Sequence, residues 1–155
     1  MPLTSRADQF EPLPAESLAR WSNFMNWPRT LFPNVVGLEL EEVRTDYARL
    51  RLPFRAELEQ PAGLVHGGAI ATLIDTAVVP AIGSAYPEFR PLFTLDLNIR
   101  FLSAIVKSDA IAEGWVRKRG GSILFCDVEV FDEAGTLCSV GTMTYKVGKP
   151  APPPF

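Results

Sequence analysis

One long apolar segment, residues 64–86, constrains what this chain can fold into more than any other part of the sequence. Within it, residues 67–85 are predicted to form a helix that is apolar on every side apart from Asp75. A helix of this kind has to be buried on most of its surface. A carboxylate near the middle of a lone membrane span is costly, so we expect a buried helix of a globular domain rather than a membrane segment.

Short strands flank this helix on both sides in the sequence. In 94–102, the apolar residues Leu95, Leu97, Ile99 and Phe101 alternate with polar ones, which is the period of a strand. The predicted strands are residues 35–43, 47–52, 94–102, 109–117, 124–131 and 137–147, and residues 132–135 are a hairpin turn between the last two. Consecutive strands with short links favour an antiparallel sheet. A curved sheet around one long helix would bury that helix, so the predicted class is α+β.

The chain is predicted to form one main domain, residues 34–147, with an extension at each end. The N-terminal segment, 1–33, carries a short helix over 15–27, and the C-terminal tail, 148–155, is rich in proline. Residues 1–14 are also rich in proline and are expected to be irregular. The aromatic side chains of the short helix either pack on the main domain or line the end of a pocket.

The composition excludes several classes of function. With 15 Lys+Arg and 18 Asp+Glu, the formal net charge of -3 gives no general attraction to nucleic acid or to an anionic membrane. Two cysteines, Cys126 and Cys138, are too few for a disulfide framework, and one histidine, His66, is too few for a multi-histidine metal centre. The N-terminus lacks the apolar core of a secretory signal, so we expect a cytoplasmic protein with reduced thiols.

The start of the long helix is a candidate binding site for negative charge. Its first N–H groups have no partner within the helix and lie at the positive end of the helix dipole. Gly67 and Gly68 let another molecule approach this backbone closely. The segment is therefore either a site for an anion or a developing oxyanion, or a plain glycine turn that leads into a helix.

Asp75 is the unusual residue of the long helix. It lies two turns from the N-terminus, too far in to cap it, and aspartate is a poor residue for a helix interior. A carboxylate among apolar neighbours needs a partner. Asp75 therefore either pairs with a group across the sheet or acts as a general base or nucleophile.

Gly67 and Asp75 cannot serve one reacting carbonyl within one chain. They are eight residues apart, which is about 12 Å along a helix, whereas an attacking carboxylate has to come within about 3 Å. Two such helices packed antiparallel about a two-fold axis would bring the helix start of one chain to Asp75 of the other. If the protein is an enzyme, the spacing predicts an obligate dimer.

Three segments together resemble a known family. They are His66-Gly67-Gly68 with Asp75 nine residues after the histidine, the strand over 94–102, and Gly120-Gly121 before Ser122. Over residues 36–147 the chain resembles the hotdog-fold acyl-CoA thioesterases, specifically the PaaI-like group of the phenylacetate pathway. The resemblance implies an antiparallel sheet wrapped around one long central helix, and hydrolysis of an acyl-CoA to the acid and coenzyme A.

The resemblance also implies roles for individual residues. The Gly67 amide would polarise the thioester carbonyl, with His66 beside it, and Asp75 of the neighbouring subunit would act as nucleophile or as base on water. Thr94 would hold the acid or the water, although simple alternation places it on the polar face with Asp96. Gln60 stands where many members carry asparagine. For His66 alone, a hydrogen bond to the backbone is the other reading.

The last group of candidate residues is the one dense basic run of the chain. It is either a solvated turn or a clamp for the phosphates of coenzyme A, and it consists of Arg117, Lys118, Arg119, Gly120, Gly121 and Ser122. The resemblance implies no metal or redox cofactor and a homodimer or a dimer of dimers. Two alternatives stay open: a hotdog hydratase or dehydratase, whose families space histidine and acid differently, and a non-catalytic acyl-CoA binding or sensing protein.

Overall fold

The computed structural model describes residues 5–155, and its main element is one six-stranded antiparallel sheet. The strands are β1 (Glu39–Arg44), β2 (Tyr47–Leu52), β3 (Leu92–Phe101), β4 (Ala110–Arg119), β5 (Ile123–Asp132) and β6 (Leu137–Val147). Their order across the sheet is β1-β2-β4-β5-β6-β3, so β1 and β3 are the edges. The helices are α1 (Ala15–Trp21), α2 (Phe32–Val36) and α3 (Gly67–Gly83). The predicted α+β class is confirmed.

Helix α3 packs on one face of this sheet, which we call the inner face. Its side chains Leu73, Ile74 and Val78 are fully buried. The sheet gives the helix room at a glycine: a Cβ built on Gly141 of β6 would lie 2.6 Å from Ile74 Cγ2. The close approach of helix and sheet therefore depends on the absence of a side chain at this position.

The strand predicted over 35–43 begins later than the sequence indicated. Residues 32–36 form α2, and the amide of Leu31, the residue that precedes this helix, donates to Asn34 Oδ1 at 3.0 Å. Gly37 ends this helix with a φ of 89°, a left-handed conformation that glycine adopts without strain. Pro33 lies in the first turn of α2, a position that suits proline because no amide proton is needed there.

The N-terminal segment is more ordered than its proline content suggested. Residues 1–4 lie outside the described part, but Arg6–Gln9 form a 3₁₀ turn on the outer face of the sheet. Ala7 is buried there in a small second core with Tyr47 and Trp115. The Arg6 guanidinium stacks on the Trp115 ring at 4.1 Å. The expectation of an irregular segment is therefore wrong for residues 5–10.

The short N-terminal helix and the C-terminal tail follow the expectation in part. The predicted helix over 15–27 is helical only as far as Trp21, and turns follow it. The Trp21 ring lies against Gly83 at the end of α3, which places this aromatic residue far from the start of that helix. The C-terminal tail has no regular secondary structure, although the Ala151 amide donates to Phe89 O at 3.1 Å.

The edge strand β3 keeps much of its apolar surface exposed. By register with buried residues of β6, Leu97 and Phe101 point to the inner face, yet they are 37% and 55% exposed. Their alternation with polar residues is that of the predicted strand. Helix α3 of the same chain covers them only in part, since Phe101 lies against Gly67 at the start of the helix, and much of this apolar surface is open to contact with another molecule.

Candidate active site

The carboxylate of Asp75 is held from the sheet by two hydroxyl groups. Asp75 is half-buried in the middle of α3. Its Oδ1 atom accepts a hydrogen bond from Thr94 Oγ1 of β3 at 2.7 Å and another from the Tyr145 hydroxyl of β6 at 2.8 Å. Asp75 therefore pairs across the sheet, and both partners bind the same carboxylate oxygen.

A bulge in β3 is what turns Thr94 toward the helix. Thr94 is opposite Tyr145 on β6, and the next pair along the ladder is Asp96 with Thr144, so Leu95 is an extra residue. Residues on either side of a bulge no longer alternate, and Thr94 and Asp96 thus lie on opposite faces. The simple alternation that placed them on one face is wrong at this point.

The side chain of His66 caps α3. Its Nδ1 atom accepts a hydrogen bond from the Gly68 amide at 2.8 Å, and the ring is exposed. Accepting at Nδ1 leaves the ring proton on Nε2, which points away from this bond. The Gly68 amide is therefore used within the protein, while the Gly67 amide has no acceptor among residues 5–155.

A small cavity of about 300 Å³ opens beside the start of α3. Gly67, Gln60 and Ser103 form the polar part of its wall. The rest of the wall consists of apolar residues, which are Leu64, Val65, Ile70, Phe101, Leu102, Ala104 and Ile105. Gln60 Oε1 accepts from the Ala62 amide at 2.9 Å, which leaves the Gln60 NH₂ group as the donor that it can offer. The cavity thus combines amide donors with an apolar wall.

The structure separates the candidate residues of one chain into two groups. Gly67, His66 and Gln60 lie at the start of α3. Asp75 lies about 12 Å further along the same helix, where Thr94 of β3 contacts it. Asp75 does not line the cavity at the helix start. One chain therefore holds two separate half-sites, which are the start of α3 with its cavity and the Asp75 carboxylate with its hydroxyl partners.

The basic run lies at the end of the sheet where Asp75 is held. Arg119, Leu124, Tyr145 and Thr94 are successive partners in register across β4, β5, β6 and β3. The turn of Gly120, Gly121 and Ser122 follows directly, and the Ser122 carbonyl accepts from the Val147 amide at 2.8 Å.

The three basic side chains of the run differ in what they contact. Arg119 forms an ion pair with Asp46 and donates to the Tyr86 hydroxyl at 3.1 Å. Arg117 pairs with Asp127 but is 66% exposed, and Lys118 is exposed. Arg119 is therefore tied into the fold, whereas the other two are the ones that a solute can reach.

Tyr145 is the residue of this site that the sequence analysis missed. It is 2% exposed and lies on the inner face with Met143 and Val147, spaced two apart along β6. The period of a strand made it an ordinary core residue. A signal was present in its hydroxyl, because a buried tyrosine hydroxyl needs a partner and Asp75 was a residue in need of one.

Across residues 5–155, no cluster of three or more His, Cys, Asp or Glu side chains is placed to hold a metal ion. In the same part of the chain, none of the helices combines the length and the apolar character that crossing a membrane requires.

Comparison with known proteins identifies the family. Residues 62–139 match the thioesterase superfamily, and this stretch contains α3 and the strands that follow it as far as the start of β6. The chain belongs to the thioesterase superfamily. It is therefore an enzyme of the thioester hydrolase class.

Individual relatives agree with this assignment. A protein of Halobacterium salinarum named as a candidate esterase is 34% identical over 106 residues, which are 65% of this chain and 70% of that one. One of Deinococcus radiodurans with the same description is 29% identical over 147 residues, 90% and 89% of the two chains. The structure of the Escherichia coli PaaI protein from the phenylacetic acid degradation operon matches with a TM-score of 0.77 at 15% identity, over 88% of this chain and 97% of that one. This last likeness confirms the hotdog fold.

Proposed function

We propose that this thioesterase hydrolyses acyl-coenzyme A to a carboxylic acid and coenzyme A, at sites shared between the two chains of a homodimer. The observation that carries the proposal is the state of Asp75. One of its carboxylate oxygens is held by two hydroxyl groups, and its other oxygen accepts no hydrogen bond from residues 5–155. A carboxylate held in this way is ready to attack or to take a proton.

The start of α3 supplies the other half of the chemistry. The Gly67 amide points from the positive end of the helix, and a thioester carbonyl that accepts its proton is polarised as negative charge develops on oxygen. The Gln60 NH₂ group adjoins the same cavity as a second donor. His66, which orients its ring by capping α3, flanks this position with Nε2–H.

The electron pair of the new C–O bond comes either from Asp75 or from a water molecule that Asp75 deprotonates. Asp75 attacks the carbonyl carbon itself, or it takes a proton from a water molecule that attacks. The C–S bond breaks in either case, and the thiolate of coenzyme A receives the proton that water supplies. In a single turnover in H₂¹⁸O, direct attack followed by addition of water to the carboxyl carbon of Asp75 puts ¹⁸O in the enzyme and none in the acid. Water that Asp75 activates as a base puts ¹⁸O in the acid and none in the enzyme, so label found in Asp75 identifies direct attack.

A homodimer is supported by the separation of the two half-sites and by the exposed edge strand. Gly67 and Asp75 of one chain are too far apart for one carbonyl, so a second copy has to supply one of them. The exposed apolar residues of β3, among them Leu95 and Phe101, are a surface that a second copy would bury. Light scattering separates a homodimer from a dimer of dimers.

Coenzyme A carries several negative charges that need a partner near the site. Arg117 and Lys118 are the exposed cations next to the Gly120–Gly121–Ser122 turn, which lies at the Asp75 end of the sheet. We assign the contact with the nucleotide phosphates to these two side chains and to the turn. Arg119 supports the turn through Asp46 and does not take part directly.

The test is a panel of acyl-CoA thioesters with release of free thiol as the readout. The proposal expects turnover of at least one member by the wild-type protein and a large loss in the Asp75→Asn variant. Binding of acyl-CoA without thiol release would identify a sensing protein, and loss of enoyl-CoA absorbance without thiol release would identify a hydratase. The cytoplasmic location and the independence from metal or redox cofactors stay predictions, and the second is checked by assaying after chelation.

A further inference from the structure

The hydroxyl group of Tyr145 has two acceptors on a single residue. It lies 2.8 Å from Asp75 Oδ1 and 2.5 Å from the main-chain carbonyl oxygen of Asp75. A tyrosine hydroxyl has one proton to donate, so the two oxygens compete for it. The side chain of Tyr145 is 2% exposed, which excludes bulk water as a substitute partner.

The position of Tyr145 follows from the ladder between β3 and β6. Thr94 and Tyr145 are direct partners in register and both point to the inner face. The Cβ atoms of such a pair are about 5 Å apart. Two hydroxyls from neighbouring strands thus converge on one carboxylate oxygen, the short side chain from the edge strand and the long one from beneath the helix.

We propose that Tyr145 is a positioning residue for the reaction: together with Thr94 it fixes the plane of the Asp75 carboxylate and leaves one defined oxygen facing the substrate. This inference rests on the function proposed above. The main-chain carbonyl of Asp75 offers the Tyr145 proton a second acceptor on the helix backbone. Orientation of a reacting group is worth large factors in rate, because misplacement lowers the fraction of reactive geometries.

The second acceptor lets the Tyr145 hydroxyl keep a hydrogen bond while the charge on Asp75 changes during the reaction. While Asp75 carries its negative charge, the proton is best donated to Oδ1. When the carboxyl group gives up that charge, to an acyl group or to a proton, Oδ1 becomes the weaker acceptor, and the proton can turn to the main-chain carbonyl. The buried hydroxyl keeps a partner in both states and so avoids the cost of an unpaired group.

Tyr145 stays a donor throughout the pH range in which such an enzyme works. Burial, with the negative charge of Asp75 as a smaller cause, raises the pKa of the Tyr145 hydroxyl well above its usual 10.0. Only the protonated form can hold Asp75 in the way described.

The test compares Tyr145→Phe with Tyr47→Phe. Tyr47 is a matched control, since it is also fully buried and donates to a carboxylate, that of Glu113 at 3.0 Å, but it lies on the outer face. We expect Tyr145→Phe to lower kcat by about 10- to 100-fold with KM changed less than about twofold. Tyr47→Phe should lower the melting temperature at least as much and leave kcat per folded molecule unchanged.

Thr94 gives a second check on the same oxygen. Thr94→Ser keeps the hydroxyl and should retain most of kcat, whereas Thr94→Val removes it and should behave like Tyr145→Phe. Because the two hydroxyls act on one carboxylate, the double variant Tyr145→Phe/Thr94→Val should lose less than the product of the two single losses. Full additivity would overturn the shared role.

A readout without turnover separates this inference from the proposed function. In protein labelled with ¹³C at the aspartate carboxyl groups, the Asp75 resonance is assigned by its absence in Asp75→Asn. It should shift in Tyr145→Phe and stay in place in Tyr47→Phe. Active wild-type enzyme with unchanged kcat in Tyr145→Phe overturns the inference alone. A shifted resonance in a protein that releases no thiol overturns the proposed function and leaves only the hydrogen bond.

Discussion

Asp75 shows how one polar side chain in an apolar helix is accommodated. Its Oδ1 atom accepts from two hydroxyl groups of the sheet, and its main-chain carbonyl is the alternative acceptor for the proton of the same tyrosine. These contacts satisfy the part of the group that faces the protein and leave the rest to a ligand. Asp75 therefore avoids the energetic cost of an unpaired buried carboxylate and keeps one oxygen available for reaction.

Replacing Asp75 with asparagine tests this residue directly. Asparagine keeps an oxygen that can accept from Thr94 and Tyr145, so the fold and the assembly should be retained, while the charge that attacks or takes a proton is lost. We expect kcat to fall by about 100-fold or more with a smaller effect on KM. The control is Asp96→Asn, on the outer face of β3. Near-normal kcat in Asp75→Asn would remove this carboxylate from the mechanism.

In strand β3, one inserted residue changes which side chains face the helix. Before the bulge, Thr94 faces the helix; after it, Leu97 and Phe101 do so, and Asp96 faces outward. Without Leu95 as an extra residue, either Thr94 or the apolar residues would point the wrong way. A bulge at the edge of the sheet thus places a hydroxyl beside Asp75 and keeps the apolar side of the strand on the inner face.

The basic residues at the end of strand β4 can be tested separately, because Arg117 and Lys118 are exposed whereas Arg119 is held by an ion pair. Arg117→Ala and Lys118→Ala should raise KM for CoA thioesters and flatten the salt dependence of kcat/KM, since exposed charges attract the nucleotide phosphates. Short thioesters without the nucleotide should be hydrolysed as before.

Arg119→Ala should act differently, as its guanidinium binds Asp46 and the Tyr86 hydroxyl. We expect it to lower the melting temperature more than the other two variants do. If Arg117→Ala and Lys118→Ala weaken both classes of substrate equally, the run is structural throughout.

At the scale of the whole molecule, the two half-sites predict complementation between chains. His66→Ala removes the cap and the group beside the Gly67 amide, Asp75→Asn removes the carboxylate, and we expect each variant alone to be inactive. In a mixed dimer one site carries both lesions and the other carries neither. Random pairing makes about half of the dimers mixed, so co-expression should recover activity toward about a quarter of wild type.

Differently tagged chains that purify together establish that mixed dimers form. If His66→Ala keeps activity, Gln60→Ala takes its place as the partner variant. Mixed dimers with no more activity than their parents would show that Asp75 acts within its own chain, or takes no part.

The pH dependence of stability is also a property of the whole fold, since it comes from groups buried on both faces of the sheet. Burial raises the pKa of the Cys126 thiol from 9.0 to about 12, and it raises the pKa values of Tyr47 and Tyr145 above 10.0. The folded state therefore holds these protons more tightly than the unfolded state. The free energy of unfolding is unaffected by them below pH 9 and falls as pH rises above it.

Urea unfolding at several pH values, in the presence of a reductant, measures this loss. Between pH 9 and 10, Cys126 should contribute a fall approaching about 1.4 kcal/mol per pH unit, and the tyrosines should add to it above pH 10. Cys126→Ala should make the first part shallower and leave the second, and what is left of the first part is the contribution of Cys138, whose thiol pKa burial also raises. An equally steep fall in Cys126→Ala would assign the loss to other groups.

The sequence by itself determined the class and order of the elements, because these follow from local periodicity. The limits of β2 and β6 agree with the predicted ranges, and α3 begins at the predicted glycine. Asp75 was conspicuous because its neighbours are apolar, and the distance from Gly67 follows from helix geometry alone. Such features need only the chain near the residue in question.

Only the tertiary structure decided the features that depend on contact between segments that are distant in sequence. The bulge at Leu95 exists only relative to the register of β6, so strand alternation alone misplaced Thr94. Tyr145 is 70 residues from Asp75 in sequence and is indistinguishable there from a core tyrosine. Arg119 differs from its neighbours because Asp46 happens to lie opposite it. Hydrogen bonds and ion pairs between strands are fixed by pairing and register, which no local pattern encodes.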